Sequence, residues 1–210
     1  MNVWAIIPAR PLEEGKSRLA SALSAAERLR LNESFFPQTL ETAAAVVGAG
    51  RTLAISRSAA MLQMARAMGI DAMLEDAPHG LNEALTQAAA QAAAHGADAV
   101  LSLSCDLPFL TPDDVRAMIA AGEGPRRIAI AGDRDGTGTN ALLLSPAGAI
   151  PYLYGPGSFA RHTDAAHAAR IAVTVVRRAG LAFDVDTPDD VEQMEEIGRE
   201  RARSPAHAAG

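Results

Sequence analysis

Short apolar runs closed by turn residues, alternating with longer alanine- and leucine-rich stretches, constrain this chain more than any other feature. The runs Val3–Pro8, Thr52–Ser56, Asp71–Leu74, Ala99–Ser104, Arg127–Ala131, Asn140–Leu144 and Ala172–Val176 read as strands. Between the first four, the intervening segments carry helical spacing. Such alternation implies an α/β fold, a Rossmann-like three-layer α/β/α arrangement with a mainly parallel mixed sheet. Several helix boundaries are written locally. "SAAE" at Ser24–Glu27 has the form of a capping box. "TPDD", at Thr111–Asp114 and again at Thr187–Asp190, supplies a capping threonine, a proline at the first helical position and acids in the first turn. Those acids read as helix starts before they read as catalysts. Pro37 is expected to kink or interrupt the helix that follows Ser24.

The 210 residues suggest one domain over 1–200, with 201–210 a small, polar, fraying tail. A chain of this length buries roughly 70% of its unfolded surface and needs no covalent staple. Cys105 is the only cysteine, so no intrachain disulfide can form, and a reducing cytoplasmic setting is expected. Cys105 itself reads as a small buried apolar residue. The opening "MNVWAIIPAR" has no basic leader region and too short an apolar run to span a membrane. A net charge of −6 argues against general nucleic-acid binding.

In sheets of this kind, ligands sit beyond the carboxyl ends of the strands. The first strand runs into "ARPLEEGKSRLA", which gathers Arg10, Lys16 and Arg18 around Pro11 and Gly15. Exposed amides and a lysine there make a phosphate cradle, although the spacing of a P-loop is absent. A solvated surface loop is the plainer alternative. The fourth strand hands over to Asp106, which reads either as a turn residue or as a metal ligand. Asp184 and Asp186 in "FDVD" are two apart, so an extended backbone puts both carboxylates on one face. Like charges so placed favour a cation beside them, and carboxylates with open water positions suit Mg²⁺. Two glycine-rich stretches, Gly132–Asn140 and Tyr154–His162, combine backbone freedom at Gly136, Gly138, Gly155 and Gly157 with the hydroxyls of Thr137, Thr139 and Ser158. Ser158 is expected to cap the next helix and aim its positive end at the glycine loop, with Arg161 and His162 in the first turn. The histidines show no metal spacing. His79, just before a helix, is a candidate for nucleotide contact, and His95 and His167 read as helix-surface residues.

Taken in order, "IPAR…GKSRL", "HGLNEAL", "CDLPFLTPDDV", "DGTGTNALLL", "GPGSFARH" and "FDVDTPDDV" resemble the 2-phospho-L-lactate guanylyltransferase family of coenzyme F-420 biosynthesis. That family is a branch of the nucleotide-diphospho-sugar transferase superfamily. The resemblance spans Ile6 to Val191. It implies transfer of GMP from GTP to the phosphate of 2-phospho-L-lactate, phosphoenolpyruvate or 3-phospho-D-glycerate, with release of diphosphate. It implies nucleotide contacts at Pro8, Ala9, Arg10, Lys16, His79, Gly80 and Asn82, and an acceptor site at Thr139, Gly155 and Ser158. It also implies Mg²⁺ held by Asp106, Asp184 and Asp186, with Lys16 and Arg18 as the catalytic cations. The implied partners are small molecules, not nucleic acid or membrane, and a homodimer is compatible with them. One departure is Arg10, where many members carry lysine, which keeps charge but alters phosphate geometry. Two readings stand beside this one: another nucleotidyltransferase of the same fold, of the molybdenum-cofactor or sugar-phosphate type, and a catalytically silent nucleotide-binding module.

Overall fold

The computed structural model describes residues 1–11, 17–77 and 80–203, with the backbone alone at 17, 18 and 202. Its centre is a seven-stranded sheet formed by β1 (Val3–Pro8), β2 (Thr52–Ser56), β3 (Asp71–Leu74), β4 (Ala99–Leu103), β5 (Arg127–Gly132), β6 (Thr139–Ser145) and β7 (Ala172–Val175). The order across the sheet is β3-β2-β1-β4-β6-β5-β7. β6 runs antiparallel to both β4 and β5, while the other pairs are parallel.

Burial explains that order. β2, β4 and β6 are buried along their whole length, and β1 is buried up to Pro8. Strands covered on both faces read as continuous apolar runs, which is how VWAIIP and AVLSL read. The four-residue strands β3 and β7 have no fully buried residue and take the edges. Alternate side chains supply two separate cores. Ala5, Ile7, Leu101, Leu103 and Leu143 face α1 (Ala25–Val47), α2 (Ala59–Ala67) and α4 (Pro112–Ala121). Trp4, Ile6, Val100, Leu142 and Leu144 face α3 (Leu81–Ala94) and α5 (Ser158–Ala168). Each such leucine or isoleucine, fully buried, contributes about 1.5–3 kcal/mol relative to exposure. A third cluster, Leu19, Phe35, Phe183 and Val185, holds α7 (Pro188–Arg203) near the start of α1. No helix among the described residues is long and apolar enough to cross a membrane.

The expected caps form at Ser24 and at Thr111, each with a complete capping box. The second box ties into the fold more deeply than the motif implies. Asp114 is buried and also pairs with Arg178, which precedes the short helix α6 (Ala179–Ala182). The interruption expected at Pro37 does not occur, because α1 runs through it. Proline removes one bond to the carbonyl four residues back, and that carbonyl belongs to exposed Glu33, where solvent can replace the lost donor. Cys105 is half-buried and packs against the first core rather than being fully enclosed.

Candidate active site at the carboxyl ends of the strands

The parallel strands end together, and because β6 is reversed its start lies with their ends. The amide of Ser104, just past β4, donates to the carbonyl of Asn140 at 2.9 Å. Thr139 and Asn140, the first residues of β6, therefore sit beside Asp106 and connect to two different groups of residues.

On one side are the acids. The amide of Val185 donates to the Asp106 carbonyl at 3.3 Å, which lays the segment 183–186 along the end of β4. The Asn140 amide nitrogen donates to the Leu181 carbonyl at 3.0 Å and to Asp184 Oδ1 at 3.4 Å. Burial first, and then the Asp106 carboxylate, push the Asp184 carboxyl up to about 6; Asp186 adds to the push and the Asn140 amide opposes it. The next turn is held by Asp190. Its Oδ2 accepts from the amides of Asp186 (2.9 Å) and Thr187 (2.7 Å), and its Oδ1 pairs with Arg134. Burial works against the Asp190 charge, yet these donors together keep its carboxyl below the ordinary range. Arg134 also lies 4.3 Å over the Phe183 ring. Asp106, Asp184 and Asp186 are thus electrostatic neighbours. No set of three His, Cys, Asp or Glu side chains among the described residues closes on one point. Adjacent carboxylates without a closed cage are a donor set for a hard divalent cation whose remaining positions water and phosphates fill.

On the other side, α5 begins differently from expectation. Its N-cap is Gly157, at φ 68°, and Ser158 is the first helical residue with its hydroxyl turned inward. The left-handed glycine provides the entry, so a hydroxyl cap is not required there. The amide of Ser158 donates to Gly155 (3.0 Å) and that of Phe159 to Thr137 (3.1 Å). The first two donors of the helix are therefore spent inside the protein. Gly155, at φ 119°, does need its freedom. Gly138 does not take positive φ; instead a Cβ there would fall 2.5 Å from Asp133 Oδ2, which accepts the Gly138 amide at 2.7 Å and closes the β5–β6 loop.

Beneath Ser158 lies a buried polar chain. Ser158 Oγ donates to Thr139 Oγ1 at 3.1 Å, and His162 Nδ1 lies 3.2 Å from that same oxygen. His162 is fully buried, and its Nε2 accepts the Leu153 amide at 2.8 Å. Burial, and then the charge of Arg161, hold the imidazole down at about 4, partly offset by the Ser158 carbonyl. Tyr154 stacks edge-on against it, 5.0 Å between ring centres, and hydrogen-bonds Ser102 at 2.8 Å. Burial pushes the Tyr154 phenol upward.

The remaining expected residues divide. Pro8 and Ala9 close β1, with the Ala9 amide still bonded to Ile55 at 2.9 Å, and Arg10 is exposed just beyond. Gly80 precedes α3, its amide donating to Glu75 at 2.8 Å. Asn82 meets Tyr154 instead of standing free: its Oδ1 accepts the Tyr154 amide at 2.7 Å and its Nδ2 donates to the Tyr154 carbonyl at 3.3 Å. That clasp joins α3 to the loop carrying Gly155. Lys16 and His79 lie outside the described residues, and of Arg18 only the backbone, in the turn Ser17–Ser21, is described. Sequence reasoning passed over Asn140, Tyr154, Arg134 and the burial of His162. A polar residue inside the run TNALLL, and the four-residue spacing from Ser158 to His162, were the available signals.

Comparison with known proteins identifies the family and the fold. The family model described as "Guanylyl transferase CofC like" matches residues 3–202. The chain is 39% identical to the phosphoenolpyruvate guanylyltransferase of Rubrobacter xylanophilus, over 94% of this chain and 96% of that one. It is 36% identical to the enzyme of the same name from Conexibacter woesei, over 100% and 95%. Among solved structures, one from Desulfovibrio desulfuricans G20 described as a nucleotide-diphospho-sugar transferase superposes with a TM-score of 0.79 at 16% identity, covering 97% of this chain and 90% of that one. A CTP-bound CMP:2-keto-3-deoxy-manno-octonic acid synthetase superposes at 0.64 with 13% identity, over 96% and 100%. At such identities the two structures speak for the fold alone.

Proposed function

Because the chain belongs to the CofC-like guanylyl transferase family, we propose that it transfers GMP from GTP to the phosphate of phosphoenolpyruvate, in the assembly of coenzyme F-420. The acceptor is chosen on the relatives, which carry that name at 33–39% identity. The observation that carries the reading is the juxtaposition at the start of β6. Neighbouring residues Thr139 and Asn140 join a pair of buried hydroxyls to a group of carboxylates.

An ionised oxygen of the acceptor phosphate attacks the α-phosphorus of GTP. The new phosphorus–oxygen bond forms as the bond to the β-phosphate breaks, and diphosphate leaves. The second phosphate pKa lies near 6, so the attacking oxygen is already charged at neutral pH and no general base is needed. What remains is to hold two polyanions together in line. Thr139, Gly155 and Ser158 form the acceptor site, Ser158 through the hydrogen bond its hydroxyl gives Thr139. Pro8, Ala9, Arg10, His79 and Gly80 line the nucleotide, with Asn82 fixing the loop opposite. Lys16 and Arg18 stabilise charge on the departing diphosphate. Asp106, Asp184 and Asp186 hold a divalent cation, for which Mg²⁺ fits an all-oxygen donor set. Such a cation supplies charge neutralisation on the phosphates when bound. Three cations of an acidic protein, Arg10, Lys16 and Arg18, are thereby gathered on the nucleotide.

The test is a matrix of the four nucleoside triphosphates against phosphoenolpyruvate, 2-phospho-L-lactate and 3-phospho-D-glycerate, following diphosphate and identifying products by mass. GTP with phosphoenolpyruvate should give the highest kcat/KM. A tenfold preference for another acid would refute the choice of acceptor, and turnover with another nucleotide but not GTP would refute guanylyl transfer.

A further inference from the structure

We propose that His162 is a positioning residue that makes the Thr139 hydroxyl an obligate hydrogen-bond donor toward the anionic acceptor. The inference rests on the reading of Thr139 as part of the acceptor site. The argument is one of proton accounting. The Leu153 amide can only donate, and it points at His162 Nε2 at 2.8 Å. Nε2 must therefore be bare. A neutral imidazole carries one proton, so that proton sits on Nδ1. Nδ1, 3.2 Å from Thr139 Oγ1, is then a donor shared between that oxygen and the Ser158 carbonyl, and it cannot accept the Thr139 proton. Ser158 Oγ donates to the same oxygen at 3.1 Å.

Thr139 Oγ1 has two lone pairs, and both are now filled. Its own proton is left over, with no acceptor for it among the hydrogen bonds of the described residues. Thr139 is only 5% exposed and Ser158 2%, so the set is shielded from competing solvent. A hydroxyl in water can donate or accept. This one can only donate, in a direction set by the two groups behind it. A phosphate or carboxylate oxygen, which only accepts, is its complement. The first two amides of α5 are already used internally, which leaves this hydroxyl as a prepared donor at the helix start. His162 touches neither substrate in this arrangement. It acts through Thr139, and its neutrality at working pH keeps the Arg161 cation from being joined by a buried one.

Two substitutions separate donation to Thr139 from simple space filling. Asparagine places its amide near the position of Nδ1 and can still donate to Thr139. Glutamine reaches toward Nε2 and can accept from Leu153, but leaves the Nδ1 position empty. Steady-state kinetics with GTP and phosphoenolpyruvate should show His162→Gln raising the acceptor KM roughly 10- to 100-fold, the loss of one hydrogen bond to a charged group, with the GTP KM changed less than about twofold. His162→Asn should stay within about threefold of wild type. In a Thr139→Val background, His162→Gln should have no further effect on the acceptor KM. The reverse order, with glutamine tolerated and asparagine not, would overturn the proposal and assign His162 to holding Leu153. If Thr139→Val raises the acceptor KM while both His162 variants leave it unchanged, the proposal falls and the acceptor reading stands. If Thr139→Val leaves the acceptor KM unchanged, both fall. Nitrogen-15 NMR of the wild-type protein reports the tautomer without any substitution: protonated Nδ1 and bare Nε2 are expected, and a proton on Nε2 would overturn the proposal even if the variants fail to fold.

Discussion

Acidification should destabilise this protein through His162 in a way that one substitution can isolate. The imidazole is fully buried and held at about 4, against an ordinary value near 6.5 in the unfolded chain. Between those two pH values the unfolded chain binds a proton that the folded protein refuses. Stability therefore rises with pH across that window, is complete above about 6.5 and falls as the pH drops toward 4. A shift of roughly 2.5 units, at 1.36 kcal/mol each, amounts to about 3 kcal/mol. That is a large part of the 5–15 kcal/mol typical of a domain. Asp184 works in the opposite direction: its carboxyl, pushed up to about 6, binds a proton more readily folded than unfolded, so it favours folding as pH falls. The total curve therefore mixes signs, and the difference from a variant is the informative quantity. Urea unfolding of wild type and His162→Asn, from pH 7.5 to 4.5 in EDTA, should show wild type losing about 2.5 kcal/mol more than the variant. Parallel curves, with the difference constant to about 0.5 kcal/mol, would refute a neutral buried imidazole.

Gly180→Ala should lower stability by about 1–3 kcal/mol in thermal or urea unfolding, because its Cβ would fall 2.6 Å from the Phe109 carbonyl and 2.2 Å from Asp114; an unchanged midpoint would count against that packing. Asp106→Asn should abolish turnover with circular dichroism unchanged, and EDTA should do the same to wild type; activity in either case would remove the cation from the scheme. Lys16→Ala should fold normally and lose kcat by about 10²–10³, with Lys16→Arg recovering little, whereas wild-type kcat would return Lys16 to the surface. Ser158→Ala should raise the KM for phosphoenolpyruvate more than that for GTP, since the hydroxyl it removes orients Thr139; equal effects would detach Ser158 from the acceptor.

What could be read from the sequence was whatever is set within a few residues. β1, β2 and β3 fall on the expected residues, β4, β5 and β7 differ by one residue at one end and β6 by one at each end, because each apolar run stops at a turn former. The capping boxes at Ser24 and Thr111 are equally local. The order of the sheet and the reversal of β6 were not legible, since they depend on pairings such as Val100 with Leu144. The same distance limit hid the site's supports. His162 is defined by Thr139, 23 residues away, and Asn140 by Leu181, 41 away. Ser158 misled because a serine before a helical run looks like a cap, and only the left-handed Gly157 behind it shows otherwise. Asp106, Asp184 and Asp186 are electrostatic neighbours, but it took Asp190 and Arg134 to show what holds their turn.

The placement of β1 has a consequence in time. Ala5, Ile6 and Ile7 leave the ribosome before either strand that pairs with them, and they are among the most enclosed residues of the finished protein. One flank is covered when Thr52–Ser56 arrives, but the other waits for Ala99 to pair with Val3. At a synthesis rate of about 5–20 residues per second, that interval is roughly 5–20 s. Throughout it, a β-prone apolar segment has an unmatched edge, limited on one side only by Pro8, which cannot extend a ladder. The order of synthesis thus leaves this edge open until β4 is made, and folding yield should depend on how quickly residues 57–98 are translated.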